Sequence, residues 1–508
     1  MSTQPYRFTR PENLELVAKP KLTVAVVIAC RGGQEKLDLV LASLAAQSYP
    51  SRLVNVYIVD DGSDVAITLP KIRPSKTKII SYKNSRGHWG KTAATNDSVA
   101  KLKEDVLWFI DADMVLDPDH LAHHMKWHHN ADDYAVLGWK RFVESWDYTP
   151  AQLHARLLAD EFLELHEISW GKELWEARVD RTEDLVKPAL DGYRAFVGAT
   201  FSMKNKQWKR LGGYNRELVT GEDTELGWRV FTSGMRIVPD RQAHSWHLGH
   251  STVEKNKEEI HRHNDPALAQ FIPQMHSIRK RYDFDWKVPT YEIHIDVRNC
   301  TLEQVLRLRF LSLVLKGTNA HFTLLGPWSA LNDRYSPVTD ERANAREIYN
   351  WLKGDTEYSF IDVEDSAELT IDAIISNFTP TATPYYLFVE GDYDINLKDL
   401  VDYLLKTGNG MVGVANNSDR RAFAIIAPAL ARATYSGGWI YKNISQQFGV
   451  KWITEGNFAQ INHGKHSFFL RLKRFLKREV KKINSPRQLL IFIKRVISIV
   501  SRKVLRRG

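Results

Sequence analysis

Apolar and polar positions along this chain fall into short alternating blocks. Leu22–Ala29 (LTVAVVIA), Val54–Val59 and Val106–Ile110 are continuous apolar runs. Runs of that length read as strands buried on both faces. Lys78–Tyr82 is a weaker version of the same pattern. Between these runs, Leu37–Ala46 and about Thr92–Lys101 space their apolar residues as helices do. Strand–helix alternation predicts a parallel, doubly wound α/β sheet with its ligands at the carboxyl ends of the strands. Further on, Trp139–Pro188 is rich in aromatic and charged residues and reads as a largely helical insertion. Arg194–Met203 then predicts a strand, and a helix follows to Leu211. A Gly212-Gly213-Tyr214 turn comes next, and then a helix opening at Thr220 or Gly221.

The predicted strand ends carry the chemistry. The run into Ile110 stops at Asp111-Ala112-Asp113. On an extended backbone, carboxylates one residue apart point to the same side. Two such oxygen ligands suit Mg²⁺ or Mn²⁺ shared with a diphosphate; a strand-end turn with two solvated aspartates gives the same pattern. Asp60-Asp61-Gly62-Ser63 ends the second run. Its carboxylates could accept from a base N–H or from ribose hydroxyls, or form a plain Asp-Gly turn. Arg31 and Lys91 stand where they could face phosphates. Glu222 and Asp223 fall in the first turn of a helix, where negative charge also complements the helix dipole. His244, His247 and His250 fall within seven residues, a spacing compatible with metal ligation.

Composition narrows the setting. The chain has 508 residues, 43% hydrophobic and 26% charged, which fits a multi-domain globular protein. Its 15 tryptophans suit saccharide stacking as well as core packing. Two cysteines, Cys30 and Cys300, predict a reducing compartment rather than a disulfide framework. Met1–Pro20 lacks the apolar segment of a signal peptide, and no apolar run reaches the ~18 residues of a membrane span. The net charge of +9 is uneven: Lys465–Gly508 holds 15 Lys and Arg against Glu479 alone, leaving the rest at −5.

Asp60-Asp61-Gly62-Ser63, Asp111-Ala112-Asp113, Gly221-Glu222-Asp223 and Trp246-His247, in that order, resemble an inverting family 2 glycosyltransferase of the GT-A (Rossmann-like) fold. Chondroitin-polymerase-like bacterial enzymes are the nearer likeness. The resemblance spans roughly residues 20 to 260. It implies that Ala29, Arg31, Asp60 and Asp61 hold the nucleoside of a nucleotide-sugar, a UDP-sugar by preference. Asp111 and Asp113 would hold ribose and a Mn²⁺ or Mg²⁺ ion, with Asp113 the firmer metal ligand. His247 would be the late metal-binding histidine, His250 its understudy, and His244 outside the shell. Asp223 would be the catalytic base with Glu222 beside it. The family's usual Pro-Thr after the first strand is Ala29-Cys30 here, and the membrane-synthase motif Q-x-x-R-W is absent.

Residues 20–285 therefore read as a catalytic GT-A domain. Residues 290–461 read as a degenerate GT-A-like copy. Ile293–Arg298 parallels Val26–Arg31, Tyr386–Asp392 parallels Leu107–Asp113, and Arg421–Ala424 parallels Arg194–Val197. The copy has Leu325-Gly326-Pro327-Trp328 in place of Asp60-Asp61, and no Glu-Asp pair or Trp-His follows Arg421. Residues 465–508 place Phe468, Phe469, Leu472, Phe475, Leu476, Val480 and Ile483 at helical spacing among lysines and arginines. That pattern predicts an amphipathic tail lying on an anionic membrane surface rather than on nucleic acid. The expectation is a cytoplasmic enzyme, peripheral on the inner face of the membrane. It would build cell-surface polysaccharide or glycoconjugate on a glycan or lipid-linked acceptor. Two other readings stand beside it: a bifunctional polymerase with both copies active, and an inactive glycan- or nucleotide-binding protein.

Overall fold

The computed structural model describes residues 8, 10–82, 90–144, 146–161, 163, 166–168, 173–187, 190–250, 256–279, 286–313, 319–416 and 419–458. The predicted tail, 465–508, lies outside them. Met1–Gly413 with Arg421–Lys451 forms one compact unit, and Val414–Arg420 with Trp452–Gly508 a second, smaller one. The 20–285 and 290–461 segments thus share the larger unit for most of their length.

The first sheet is built from β1 (Val24–Cys30), β2 (Val54–Asp60), β3 (Thr77–Ser81), β4 (Val106–Asp111), β5 (Met114–Leu116), β6 (Tyr134–Val143), β7 (Thr200–Lys204) and β8 (Arg236–Leu248). Its order is β3-β2-β1-β4-β7-β6-β8-β5. β3, β2, β1 and β4 are parallel neighbours, and β7 runs antiparallel to β4. The helices are α1 (Gln34–Ala45), α2 (Lys91–Val99), α3 (His120–Asn130), α4 (Pro150–Leu158), α5 (Leu174–Arg181), α6 (Asn205–Leu211), α7 (Glu222–Thr232) and α8 (Lys257–Phe271). β1 (VAVVIAC) and β4 (VLWFID) are apolar up to their last residues and almost wholly buried, because the sheet is covered on both faces. Val26, Ile28, Trp108 and Ile110 meet Leu37, Val40, Leu41 and Leu44 of α1 in one core cluster. The architecture is α/β and GT-A-like, as predicted.

Two expectations need correction. Trp139–Pro188 is not chiefly helical. Its start belongs to β6, whose Tyr134–Leu137 stretch is fully buried, and among the described residues only α4 and α5 are helical within it. Arg194–Met203 is not one strand. Gly192–Ala195 is a 3₁₀ turn and the strand begins at Thr200. Gly227 of α7 lets the helix pack close against this turn, since a Cβ there would lie 2.6 Å from Phe196 Cβ. The chain before β7 is shaped to let α7 pack close.

A second sheet follows the same plan. β9 (Tyr291–Asp296), β10 (Ala320–Gly326), β11 (Tyr358–Asp362), β12 (Tyr385–Glu390), β13 (Met411–Asn416), β14 (Asp419–Ile426) and β15 (Val450–Thr454) take the order β11-β10-β9-β12-β14-β13-β15. Its first six positions correspond to β3-β2-β1-β4-β7-β6, including the antiparallel partner of the strand that ends at Asp111. No helix among the described residues is long and apolar enough to cross a membrane.

α3 buries a column of histidines against the sheet. His120, His124 and His128 recur every four residues and so share one helix face. His120 Nδ1 lies 2.7 Å from the His244 carbonyl, to which it can only donate, so its Nε2 accepts from Thr200 Oγ1 at 2.9 Å. Gly138 makes room for that ring, since a Cβ there would lie 2.5 Å from His120 Cε1. The Ser202 hydroxyl touches both His124 Nδ1 (2.8 Å) and His128 Nε2 (2.7 Å). It carries one proton, so it donates to one ring and accepts from the other. Burial pushes all three imidazoles down: His120 to about 4, His128 to about 3, and His124 well below its ordinary value. The unfolded chain therefore binds more protons below pH ~6.5. The stability the neutral column supplies is complete above that pH and is lost as pH falls toward 4 and 3. Each histidine contributes a slope of about 1.4 kcal/mol per pH unit inside its window. Urea unfolding at pH 7.5, 6 and 5 is expected to show a falling midpoint, and His128→Gln is expected to flatten the fall.

Candidate active site

Strand register delivers the predicted residues to one edge. Ala29 pairs with Val59 and with Asp111, and Cys30 pairs with Asp60, so three parallel strands end level. α7 starts at the same edge behind Gly221, a left-handed glycine that caps it. Together these ends enclose a cavity of about 690 Å³. Ala29, Arg31, Asp61, Lys91, Asp111, Asp113, Glu222, Asp223, His247 and His250 all line it.

One predicted residue stands apart. Asp60 is buried in its own turn, where its Oδ1 accepts from Ser63 N (2.9 Å) and Ser63 Oγ (2.6 Å). Ser63 Oγ in turn accepts from Gly32 N at 2.7 Å. Asp60 thus ties the β1 and β2 loops together instead of lining the cavity. His244, expected outside the shell, is absent from the lining, and its side chain is exposed on β8.

Asp61 does face the cavity. Its Oδ2 accepts from Gly90 N at 2.6 Å, while Oδ1 is buried with no hydrogen-bond partner among the described residues. Burial raises its pKa. An orphan acceptor at a cavity wall is the kind of group a ligand N–H or hydroxyl satisfies.

Asp113 meets His247 because β5 pairs antiparallel with β8, Met114 opposite His247. His247 Nε2 lies 3.4 Å from Asp113 Oδ1. Its Nδ1 is 3.1 Å from the Gly249 carbonyl, to which it donates, so Nε2 is the nitrogen that a metal beside Asp113 would take. A carboxylate oxygen and a bare imidazole nitrogen at that separation fit one divalent cation. Among the described residues no third His, Cys, Asp or Glu completes a metal group. The remaining ligands would have to be water and phosphate oxygens, as Mg²⁺-like ions accept.

Lys91 does not simply await phosphate. Its Nζ lies 3.2 Å from Asp111 Oδ1 and 3.2 Å from Glu222 Oε1. Burial pulls the ammonium down, but these carboxylates outweigh it and hold the pKa well above its ordinary value. Asp223, next along α7, is pushed up to about 6 by burial and by the neighbouring Glu222 charge. Its Oδ2 accepts from Gly198 N (3.0 Å) and its Oδ1 from Thr224 N (2.6 Å). A carboxylate poised near neutrality at a cavity wall can take a proton from a hydroxyl.

Sequence reasoning missed several cavity residues: Lys36, Gly198, Ala199 and Thr220. Gly198 leaves no pattern, because its role is to let Asp223 approach. A Cβ there would sit 3.1 Å from Asp223 Cβ. Lys36 lies in the first turn of α1, just before the stretch whose spacing predicts a helix.

Residues 25–210 match the family model described as Glycosyl transferase family 2. The chain carries a family 2 glycosyltransferase domain. A related protein, Uncharacterized glycosyltransferase YfnE of Bacillus subtilis (strain 168), is 25% identical over 268 residues, covering 47% of this chain and 68% of that one. Weaker likenesses among solved structures include a mannosyltransferase from Pyrobaculum calidifontis in complex with GDP-Man and Mn²⁺. It has TM-score 0.32 and 15% identity, over 68% of this chain and 74% of that one. Another is S. aureus TarS 1–349 in complex with UDP-GlcNAc, with TM-score 0.35 and 12% identity, over 52% and 68%. The family 2 match ends at Arg210, before Asp223 and His247, so geometry alone ties those two to the site.

The matching edge of the second sheet is filled from within. By register, Asp296 corresponds to Ala29, Glu390 to Asp111, and Gly326 to Asp60. Ala422 pairs with Val389 as Thr200 pairs with Ile110, so Arg421 stands where the family 2 domain has Ala199, not Arg194. Its guanidinium bonds to Glu390 and, at 3.0 Å, to Asp392. Arg298 is paired with Asp296 in the same way, at 2.8 Å.

Gly198→Ala is expected to lower transfer at least tenfold by displacing Asp223, while nucleotide binding changes little. Steady-state kinetics beside calorimetric titration of UDP checks this. Equal losses in both would place the effect elsewhere.

Proposed function

We propose that the family 2 domain transfers a sugar, with inversion and with a divalent cation, from a nucleotide-sugar to a hydroxyl of a glycan or lipid-linked acceptor. A UDP-sugar is the favoured donor. The observation that carries this is Asp223, held near pKa 6 at the wall of a cavity that Asp113 and His247 also line.

Asp113 and His247 would hold Mn²⁺ or Mg²⁺, which when bound supplies positive charge for the leaving diphosphate. Asp61 would accept from the nucleoside, and exposed Arg31 would face phosphate. Asp223 takes the acceptor hydroxyl proton as that oxygen bonds the anomeric carbon. The bond from that carbon to the diphosphate oxygen breaks on the opposite face, its electron pair leaving with the nucleoside diphosphate. Attack opposite the leaving group inverts the centre. Glu222 acts through Asp223: its charge lifts the base's pKa while Lys91 keeps Glu222 itself compensated.

We assign catalysis to the first sheet's edge alone. Arg421 already satisfies the acidic pair of the second, which argues against a bifunctional polymerase. The segment 465–508 is proposed, on sequence alone, to hold the enzyme at an anionic membrane surface.

Four outcomes are expected. Asp113→Ala abolishes the Mn²⁺-dependent part of UDP affinity by calorimetry; unchanged metal dependence would remove Asp113 from the site. Asp223→Asn keeps donor binding and loses at least a hundredfold in kcat. The acid limb of kcat/KM falls near pH 6 in the native enzyme. It moves to lower pH in Glu222→Gln, because the charge that raises the base is gone; an upward or absent shift contradicts the assignment. Finally, full-length protein floats with vesicles of increasing anionic content, and protein lacking 465–508 does not. Equal flotation of the two would refute the tail's role.

A further inference from the structure

Each carboxylate of Asp111-Ala112-Asp113 has its own lysine. Asp111 has Lys91. Asp113 has Lys36, whose Nζ is 3.5 Å from Asp113 Oδ2, the oxygen not facing His247. Lys36 Nζ also donates to the Leu248 carbonyl at 2.5 Å. One side chain from α1 thereby grips the turn that carries Asp113 and the strand end that carries His247. Its side chain is 41% exposed and lines the cavity, so a ligand can reach it.

A divalent cation arriving alone meets two protein donors and a nearby ammonium. Coulomb repulsion at a few ångströms from the same carboxylate weakens its binding. A nucleoside diphosphate reverses that sign. Its phosphate oxygens complete the cation's coordination and give the ammonium a second anion. We infer that Lys36 is a diphosphate-binding and metal-positioning residue that makes divalent-cation binding depend on the nucleoside diphosphate. This rests on the donor-site reading above. It adds a residue to it and an order: free ion is disfavoured, and ion with diphosphate is favoured. The coupling is reciprocal, so the same residue makes diphosphate binding depend on the ion. A lysine that merely capped the Leu248 carbonyl would influence neither equilibrium selectively.

The test is Mn²⁺ binding, read from the free-ion paramagnetic resonance signal, with and without UDP and, in parallel, GDP. UDP and GDP calorimetry with and without Mn²⁺ accompanies it. The proteins are native, Lys36→Met, Lys36→Gln and Lys36→Arg, each checked for folding by circular dichroism. In Lys36→Met and Lys36→Gln, Mn²⁺ alone is expected to bind as well as in the native protein or up to about tenfold more tightly. Mn²⁺ with diphosphate is expected to bind about tenfold more weakly, so the coupling factor falls by about ten- to a hundredfold. Lys36→Arg is expected to retain most of it. An unchanged coupling factor in folded Lys36→Met or Lys36→Gln overturns the inference. So does an equal loss of Mn²⁺ affinity with and without diphosphate, which marks a purely structural role. If native protein binds UDP and GDP without regard to Mn²⁺, the donor-site reading itself fails.

Discussion

The site depends on one charge balance. Asp111 and Glu222 come from different elements, and Lys91 Nζ lies 3.2 Å from each. Without that ammonium, two partly desolvated carboxylates would face one another across the cavity, an arrangement costing several kcal/mol. With it, the end of β4 and the start of α7 are held in register. Asp223 is spared from pairing, because Lys91 contacts Glu222 rather than the base. Its elevated pKa follows from burial and from the neighbouring Glu222 charge, which the more distant Lys91 only partly offsets.

Much of this frame is legible in the chain because buried parallel strands write themselves as apolar runs. The strands ending at Cys30, Asp60 and Asp111 stand within two residues of their predicted bounds, and the convergence of their loops follows from topology. Asp113 and Asp223 are legible because a carboxylate just after such a run, or in a helix's first turn, has few places to point. What escapes prediction is set by distant contacts. The close packing of α7 on the turn before β7 depends on Gly227 meeting Phe196, and the loss of Asp60 to its own loop on the position of Ser63. Lys36 matters through residues more than 70 positions away in sequence. Composition and periodicity carry no record of such pairs.

The second sheet shows the limit of reading repeats by likeness. Arg421-Ala422-Phe423-Ala424 looks like Arg194-Ala195-Phe196-Val197, yet register sets Arg421 against Ala199. The similar letters lie on unlike backbone: Gly192–Ala195 is a 3₁₀ turn, whereas Arg421 lies within a strand. Strand pairing, not letter matching, identifies the equivalent positions.

That pairing has a consequence for what the second edge requires. Two carboxylates close together at a strand end repel one another unless something offsets them. The guanidinium of Arg421 does so from within the sheet, touching both Glu390 and Asp392. Their mutual placement therefore follows from the fold itself and calls for no bound ion. Exchanging Arg421 for a small neutral residue would take that countercharge away from both acids at once.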